Sequence, residues 1–204
     1  YLTGNTNVDA VQLILKKKFK TTQNFQKLIN NFKKKKIKIF LTVHRRENFG
    51  KPLKRIFDAV KKISSNDNVE IIYPVHPNPN IKKDILKYLK LSKNLKIIKP
   101  LSFFDSLTMQ LSSSAIITDS GGIQEEATTL NKYCIIAREK TERQEAINSK
   151  NCYLVGSDRN KFLEYFSIIL NKNKKLKVKK ILLNKTFGDG YATKKILKIL
   201  NKSE

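Results

Sequence analysis

The sequence predicts an α/β fold built on a doubly wound parallel Rossmann-like sheet, and three observations carry this prediction. Short apolar runs rich in β-branched residues alternate with segments of helical spacing, and the alternation is repeated six times. Polar residues and glycines follow the apolar runs, at the strand ends where such sheets bind ligands. The hydrophobic share of 40% among 204 residues is ordinary for a globular domain. Together they indicate a parallel sheet with helices on both faces.

The chain before the first strand is predicted to contain a linker and one helix. Residues 1–10 are polar, with Gly4 and Asn5, and indicate a linker. Residues 11–32 carry apolar side chains at helical spacing. Residues 33–36 are consecutive lysines, which we interpret as a solvated charge run.

The alternating part of the chain begins with the β-branched run IKIFLTV. The predicted strands are 37–43, 69–75, 95–98, 115–118, 134–137 and 153–155. The predicted helices after the first one are about 50–64, 80–91, 103–111, 122–130, 142–148, 161–171 and 192–200. In such a sheet the residues that follow each strand lie along one edge.

The charge of the chain invites a nucleic-acid interpretation. There are 42 basic and 17 acidic residues, a formal net charge of +25. Lysine, however, occupies most surface positions of nearly every predicted helix, and there is no zinc finger or aromatic RNA-binding signature. We therefore expect no specific nucleic-acid partner, only nonspecific binding of polyanions at low salt.

The remaining composition indicates a cytoplasmic protein without a metal. No apolar run approaches the roughly 20 residues that span a bilayer, so no membrane association is expected. Cys134 and Cys152 lie in apolar, strand-like surroundings and fit buried, reduced thiols. These two cysteines and the two histidines are scattered and make no zinc pattern. Because the chain starts at Tyr1 rather than Met, we expect it to be a fragment.

The segment IITDSGGIQEEATT, residues 116–129, is the leading candidate for a ligand site. It is predicted to be a strand end, a turn and the first turns of a helix, whose free N–H groups suit a phosphate. Gly121 and Gly122 allow a ligand to approach the backbone closely. Glu126, further along the helix, is placed either to accept hydrogen bonds from two ribose hydroxyls or to compensate the helix dipole. A tight strand-to-helix turn without a ligand is the alternative.

Three further groups of polar residues are predicted at the same edge. HRREN, residues 44–48, favours a phosphate-rich ligand, and the alternative is a solvated loop with internal ion pairs. His76, in the sequence VHPNP, is as well explained by a structural role as by ligand contact. Arg143, in TERQE, is either a phosphate clamp or the ion-pair partner of a nearby glutamate.

Six motifs in this order strongly resemble the non-hydrolysing UDP-N-acetylglucosamine 2-epimerases. They are TGNTNVDA, TVHRRENFG, PVHPNPN, ITDSGGIQEEA, TERQEA and FGDGYA. The resemblance runs from about residue 2 to residue 199 and covers the second half of the family's enzyme. It implies one half of a two-domain GT-B-type (glycogen phosphorylase/glycosyltransferase-like) fold. Residues 11–183 would form the UDP-binding domain, and residues 184–204 a C-terminal helix that crosses back to the first domain.

The activity implied by the resemblance is the interconversion of UDP-GlcNAc and UDP-ManNAc without a cofactor. It proceeds by elimination and re-addition of UDP. The family's acid/base residues lie in its first domain, so the isolated chain is expected to be inactive. The other expected partners are that first domain and, for the full-length enzyme, a second copy of the chain.

The resemblance also implies roles for particular residues. His44 would be catalytic, and Arg45 and His76 would contact an allosteric UDP-GlcNAc. The implied UDP-binding residues are Ser120, Gly121, Gly122, Glu126 and Arg143. Ser106 stands where the family often has an aromatic residue that helps to hold the uracil, and Gln144 replaces a proline.

Three alternative functions remain open. One is a hydrolysing epimerase, which releases UDP and free ManNAc. Another is a UDP-sugar-binding module without catalysis. A basic nucleic-acid binder is the third.

Overall fold

The computed structural model describes residues 1–16, 23–32, 37–76, 78–89, 92–174 and 183–202. The strands in this part of the chain are β1 Ile37–Thr42, β2 Val69–Pro74, β3 Leu95–Ile98, β4 Ala115–Thr118, β5 Tyr133–Ile136 and β6 Cys152–Leu154. The helices are α1 Thr6–Lys16, α2 Gln23–Phe32, α3 Lys51–Ser64, α4 Pro79–Tyr88, α5 Phe103–Ser112, α6 Gly121–Thr129, α7 Gln144–Asn148, α8 Arg159–Lys174 and α9 Ala192–Leu200. A short 3-10 helix covers Arg46–Asn48.

The strands form one parallel six-stranded sheet in the order β3-β2-β1-β4-β5-β6. After β1, the chain adds β2 and β3 on one side of that strand. It then crosses back and adds β4, β5 and β6 on the other side. The direction of the strand order therefore reverses between β1 and β4, where Thr42 and Thr118 are paired in register. Sheets of this topology bind ligands outside the carboxyl ends of the strands at that reversal.

Both faces of the sheet are covered, because successive side chains of a strand point to opposite faces. On one face Ile39 and Leu41 of β1 pack with side chains of α3, α4 and α8. On the other face Phe40 packs with side chains of α2, α5, α6 and α7. This arrangement confirms the predicted doubly wound parallel α/β fold.

The N-terminal helices differ from the prediction. Helix α1 begins at Thr6, inside the predicted linker, because Asn5 accepts a 2.8 Å hydrogen bond from the amide of Asn7 through its side-chain oxygen. Where one helix was predicted over residues 11–32, α1 ends at Lys16 and α2 begins at Gln23. Residues 17–22, and the predicted charge run at residues 33–36, lie outside the described part of the chain.

The C-terminal helix α9 packs against α1. Asp9 of α1 accepts hydrogen bonds from the amides of Ala192 (3.1 Å) and Thr193 (2.9 Å), and so caps the start of α9. Because the resemblance implies that this helix crosses back to the first domain, Ala192, Ile196, Leu197 and Leu200 are expected to be partly exposed. Leu197 and Leu200 are exposed by 54% and 58%, but the expectation was wrong for Ala192, which is buried under this cap.

No helix in the described ranges is long and apolar enough to cross a membrane.

Candidate functional site

The candidate site lies at the carboxyl ends of β1 and β4, where the strand order reverses. Thr42 and Thr118 end these strands side by side, so the chain leaves both at the same edge. His44 follows β1, and Ser120 follows β4 at the start of α6. The topology therefore places the HRREN loop beside the DSGG turn.

Asp119 holds these two segments together. Its carboxylate is fully buried and accepts hydrogen bonds from the backbone amides of His44 (2.9 Å) and Arg45 (2.8 Å). It also accepts a 2.9 Å bond from Nδ2 of Asn48, which in turn donates to the carbonyl oxygen of Ala137 at 3.0 Å. Buried carboxylates are stable only when they are paired or hydrogen-bonded in this way. The loop after β1 is thereby fixed to the ends of β4 and β5.

The start of α6 presents backbone N–H groups to this edge. Ser120 is the N-cap residue, but its side chain does not cap the helix. The first N–H groups of a helix have no partner within it, and the positive end of the helix dipole favours an anion there. A Cβ atom on Gly122 would have nothing closer than Glu126 Oε1 at 4.0 Å, so a ligand has room in front of this residue.

Glu126 lies in the second turn of α6 and is buried, with 6% of its surface exposed. Its Oε2 atom accepts a hydrogen bond from Nε2 of Gln110 on α5. Burial raises the pKa of Glu126 to about 7, the Gln110 hydrogen bond opposes this rise, and the neighbouring Glu125 adds to it. A carboxyl group in this setting gains from hydroxyl donors, which stabilise its charged form.

Arg143 lies beside the same helix start. Its Nε atom pairs with Glu125 Oε1 at 2.8 Å, and its Nη1 atom pairs with Glu142 Oε1 at 3.0 Å. The guanidinium carbon lies 3.4 Å from the position that a Cβ on Gly121 would take. Arg143 is thus an ion-pair partner of nearby glutamates, as one of the two sequence interpretations held, and its charge also lies next to the helix start.

The rings of His44 and His76 stack, with centroids 5.0 Å apart and an interplanar angle of 11°. His44 Nδ1 lies 3.7 Å from Asp119 Oδ1. Burial lowers the pKa of His44, the Asp119 carboxylate opposes that effect, and His76 and Arg45 lower the pKa further. These effects together favour the uncharged imidazole of His44, which is available as a neutral hydrogen-bonding group.

A cavity of about 160 Å³ lies next to the two histidines. Apolar side chains from four segments form most of its wall, and Ser106 of α5 contributes a hydroxyl. The lining residues from the sheet side include Phe40 and Thr42, and Ile123 comes from α6. The cavity is therefore continuous with the edge that carries His44 and the start of α6.

All of the residues proposed from the sequence as ligand contacts lie around this edge, but HRREN does not form the internal ion pairs of the alternative interpretation. Glu47 instead pairs with Arg138 at 2.7 Å.

The sequence did not reveal the roles of Asn48 and Gln110, or of Asn7, which donates to Glu125 Oε2 at 3.3 Å. Their partners are too distant along the chain for any local pattern to show these contacts.

Among the described residues, no group of three or more histidine, cysteine, aspartate or glutamate side chains is arranged to hold a metal ion. Cys134 and Cys152 are buried free thiols in paired positions of β5 and β6.

The UDP-N-acetylglucosamine 2-epimerase family model matches residues 1–201. The UDP-N-acetylglucosamine 2-epimerase of Campylobacter jejuni is 37% identical to the chain, over 100% of the chain and 55% of the relative. The chain thus spans about half the length of the curated relatives it matches.

Two solved structures show the same fold. The Neisseria meningitidis UDP-GlcNAc 2-epimerase, bound to UDP-GlcNAc, is 32% identical with a TM-score of 0.84, over 98% of this chain and 55% of that one. The Methanocaldococcus jannaschii UDP-GlcNAc 2-epimerase, in complex with UDP-GlcNAc and UDP, is 33% identical with a TM-score of 0.81, over 99% of this chain and 54% of that one. The predicted likeness to a GT-B-type half is confirmed.

Proposed function

Since the chain belongs to the UDP-N-acetylglucosamine 2-epimerase family, we propose that it is the UDP-binding half of a non-hydrolysing member of that family. The full-length protein would interconvert UDP-GlcNAc and UDP-ManNAc. The complementary half would supply the acid/base residues and the other wall of the cleft. The exposed side chains of Leu197 and Leu200 on α9 support a contact with that half. A homodimer of the full-length protein is part of the same proposal.

The start of α6 beside His44 is the single observation that carries this proposal. Free N–H groups, room in front of Gly122 and the nearby guanidinium of Arg143 together suit the diphosphate of UDP. Ser120 and Gly121 complete this diphosphate site. Glu126 has one carboxyl oxygen on the same side as Gly122, where it would accept hydrogen bonds from the ribose hydroxyls.

The base of the nucleotide would occupy the cavity beside Ser106. Its wall is largely apolar, which suits the faces of a uracil ring, and the Ser106 hydroxyl offers a polar contact. The ribose would then lie between this cavity and the diphosphate, within reach of Glu126.

His44 is proposed to assist the departure of UDP. In the elimination, a proton leaves C2 of the sugar and the C1–O bond to UDP breaks, which gives UDP and 2-acetamidoglucal. The reverse addition, with the proton delivered to the other face of C2, gives the epimer. A neutral imidazole at the edge of the diphosphate site would donate a hydrogen bond to the leaving phosphate as its negative charge grows.

Arg45 and His76 are proposed to contact a second, allosteric UDP-GlcNAc beside the substrate. The stacking of His76 on His44 supports this role, because a ligand that moves His76 would change its contact with the ring of His44.

Calorimetric titration of the chain with UDP tests the proposed site. We expect Glu126→Ala to weaken binding by about 1–3 kcal/mol, the scale of a hydrogen bond to a charged group. Glu164→Ala, on the exposed surface of α8, is the control and should bind UDP as the unaltered chain does. If the affinity of Glu126→Ala is unchanged, Glu126 is not part of the site.

Product analysis of the full-length enzyme tests the reaction. Incubation with UDP-GlcNAc should give UDP-ManNAc and no free ManNAc, and the 204-residue chain alone should give neither. Release of free ManNAc would show a hydrolysing epimerase. Saturable UDP binding with no turnover by the full-length protein would show a UDP-sugar-binding module.

A further inference from the structure

Gln110 of α5 is fully buried, and within the described part of the chain one of its two polar side-chain atoms forms a hydrogen bond while the other forms none. Nε2 donates a hydrogen bond to Glu126 Oε2. Oε1 is buried and has no hydrogen-bond partner within the described part of the chain. A buried carbonyl oxygen without a partner costs free energy that an apolar side chain of similar shape would avoid. Packing alone therefore does not explain a glutamine here, whereas its bond to Glu126 does.

The bond from Gln110 separates the two oxygens of the Glu126 carboxyl group. Oε2 is engaged by α5. Oε1 lies 4.0 Å from the position that a Cβ on Gly122 would take, and so faces the start of α6. A carboxyl group held through one oxygen keeps the other in a fixed orientation, which is what a precise ligand contact requires.

The charged groups around Glu126 do not replace this contact. Glu125, on the same helix, acts against ionisation of Glu126. The nearby cation Arg143 is paired with Glu125 and Glu142. Helix α1 contributes Asn7, an uncharged amide, and α5 contributes Gln110. Of the effects on Glu126, burial is the largest, and the hydrogen bond from Gln110 is the largest that favours the carboxylate.

We propose that Gln110 is a positioning residue, which orients the carboxyl group of Glu126 toward the two neighbouring hydroxyl groups of a ribose. This inference rests on the proposed function, because it takes Glu126 as the ribose contact. It assigns the discrimination between ribose and 2′-deoxyribose to a pair of residues from two different helices. A 2′-deoxyribose lacks one of the two hydroxyls and gains less from the fixed carboxylate.

The test compares the affinities of the chain for UDP and for 2′-deoxy-UDP by calorimetry between pH 6 and pH 9. The unaltered chain should bind UDP more tightly than 2′-deoxy-UDP. In Gln110→Met the ratio of the two affinities should be about tenfold smaller at pH 7, on the scale of one charge-assisted hydrogen bond. Without the donor the pKa of Glu126 rises further, so the preference of the variant should partly return at higher pH. The titration of the phosphate groups is the same in both proteins and cancels in the comparison.

Two further variants separate positioning from packing. Gln110→Asn keeps a polar amide but withdraws it by one methylene group, and should also lose the preference. Ser112→Ala, on the same helix, should keep it. A packing role for Gln110 would instead lower the melting temperature and leave the preference and its pH profile unchanged.

The outcomes distinguish this inference from the proposed function. If Glu126→Gln abolishes the preference for UDP while both Gln110 variants keep it, the proposed site stands and the positioning role is wrong. If the unaltered chain binds UDP and 2′-deoxy-UDP equally, Glu126 does not contact the ribose and the inference fails with that assignment. Loss of the preference in Gln110→Met and Gln110→Asn, with a shifted pH profile in Gln110→Met, supports it.

Discussion

The carboxyl group of Glu126 is buried beside Glu125, and burial raises its pKa to about 7 from an ordinary value of 4.5. A group whose pKa is raised by folding contributes stability that is fully present below its unfolded pKa and is lost as the pH rises through its folded pKa. The free chain thus keeps an acid in a position where its ionisation opposes folding. Such a position suits a group that acts on a ligand.

The stability of Glu126→Gln should show this effect. A glutamine has no charge to bury, so the free energy of unfolding of the variant, relative to the unaltered chain, should increase by about 1–3 kcal/mol between pH 5 and pH 8. Urea denaturation at several pH values measures the difference. Glu164→Gln, at an exposed position of α8, is the matched control. Parallel stability curves for Glu126→Gln would show that folding does not shift the pKa of Glu126.

His44 offers a test in which function separates from folding. In a full-length enzyme, His44→Ala should lower turnover about 100-fold or more, on the scale of one lost electrostatic contact in a transition state. Folding should change little, because the hydrogen bond that Asp119 accepts comes from the backbone amide of His44, which alanine keeps. Lys54→Ala, at an exposed position of α3, is the control for both assays. Normal turnover, or a loss explained by early melting, would count against a chemical role for His44.

At the scale of elements, helix α6 is organised around its first turn. Gly121 and Gly122 begin the helix. The side chain of Arg143 lies beside Gly121 and that of Glu126 lies near Gly122, and the space in front of Gly122 is open. Since neither glycine has a positive φ, the backbone does not require glycine at these positions. Room for a ligand is therefore the better explanation for Gly122.

The variant Gly122→Ala separates an effect on the stability of the helix from an effect on ligand binding. Alanine favours the helical conformation by up to about 1 kcal/mol over glycine, so the melting temperature should stay the same or rise. UDP affinity should fall at least about tenfold, because the methyl group occupies the space of the phosphate oxygens. Gly50→Ala, at φ +80 and outside the site, should show the reverse pattern of earlier melting and retained binding. Tight UDP binding by Gly122→Ala would exclude a close phosphate contact there.

The elements that sequence periodicity predicts well are those whose apolar pattern is local. The six strands and the helices between them follow from runs of β-branched residues and from helical spacing, and they define the edge that carries His44 and Gly122. Helix α1 was not predicted from Thr6, because its start depends on a side-chain cap by Asn5 in a polar segment. Gln110 was not predicted because its partner Glu126 lies on another helix, and no spacing within α5 indicates the contact.

At the scale of the whole molecule, motifs far apart in sequence have joint structural roles. The TGNTNVDA and FGDGYA motifs meet where Asp9 caps α9, and the amide of Asn5 donates to the carbonyl oxygen of Phe187 at 2.9 Å. Asn7 of the first motif also reaches α6 through Glu125. The sequence showed the order of these motifs, but only the fold shows that the first and the last of them are in contact beside the proposed UDP site.

The net charge of +25 leads to a prediction about selectivity for the whole chain. UDP should bind saturably and keep most of its affinity as the salt concentration rises, because directional hydrogen bonds hold it in the site. Duplex DNA should bind weakly and lose its affinity steeply with salt, because counterion release drives that association. Titrations with both ligands from low to physiological salt measure the contrast. Sequence-dependent, salt-resistant DNA binding would instead support a nucleic-acid function.

A crystal of the chain soaked with UDP would show the proposed site itself. We expect the diphosphate to lie against the N–H groups of Gly121 and Gly122, the ribose hydroxyls to bond to Glu126, and His44 to border the same phosphate. UDP bound at another edge of the sheet, or a diphosphate out of reach of the start of α6, would contradict this expectation.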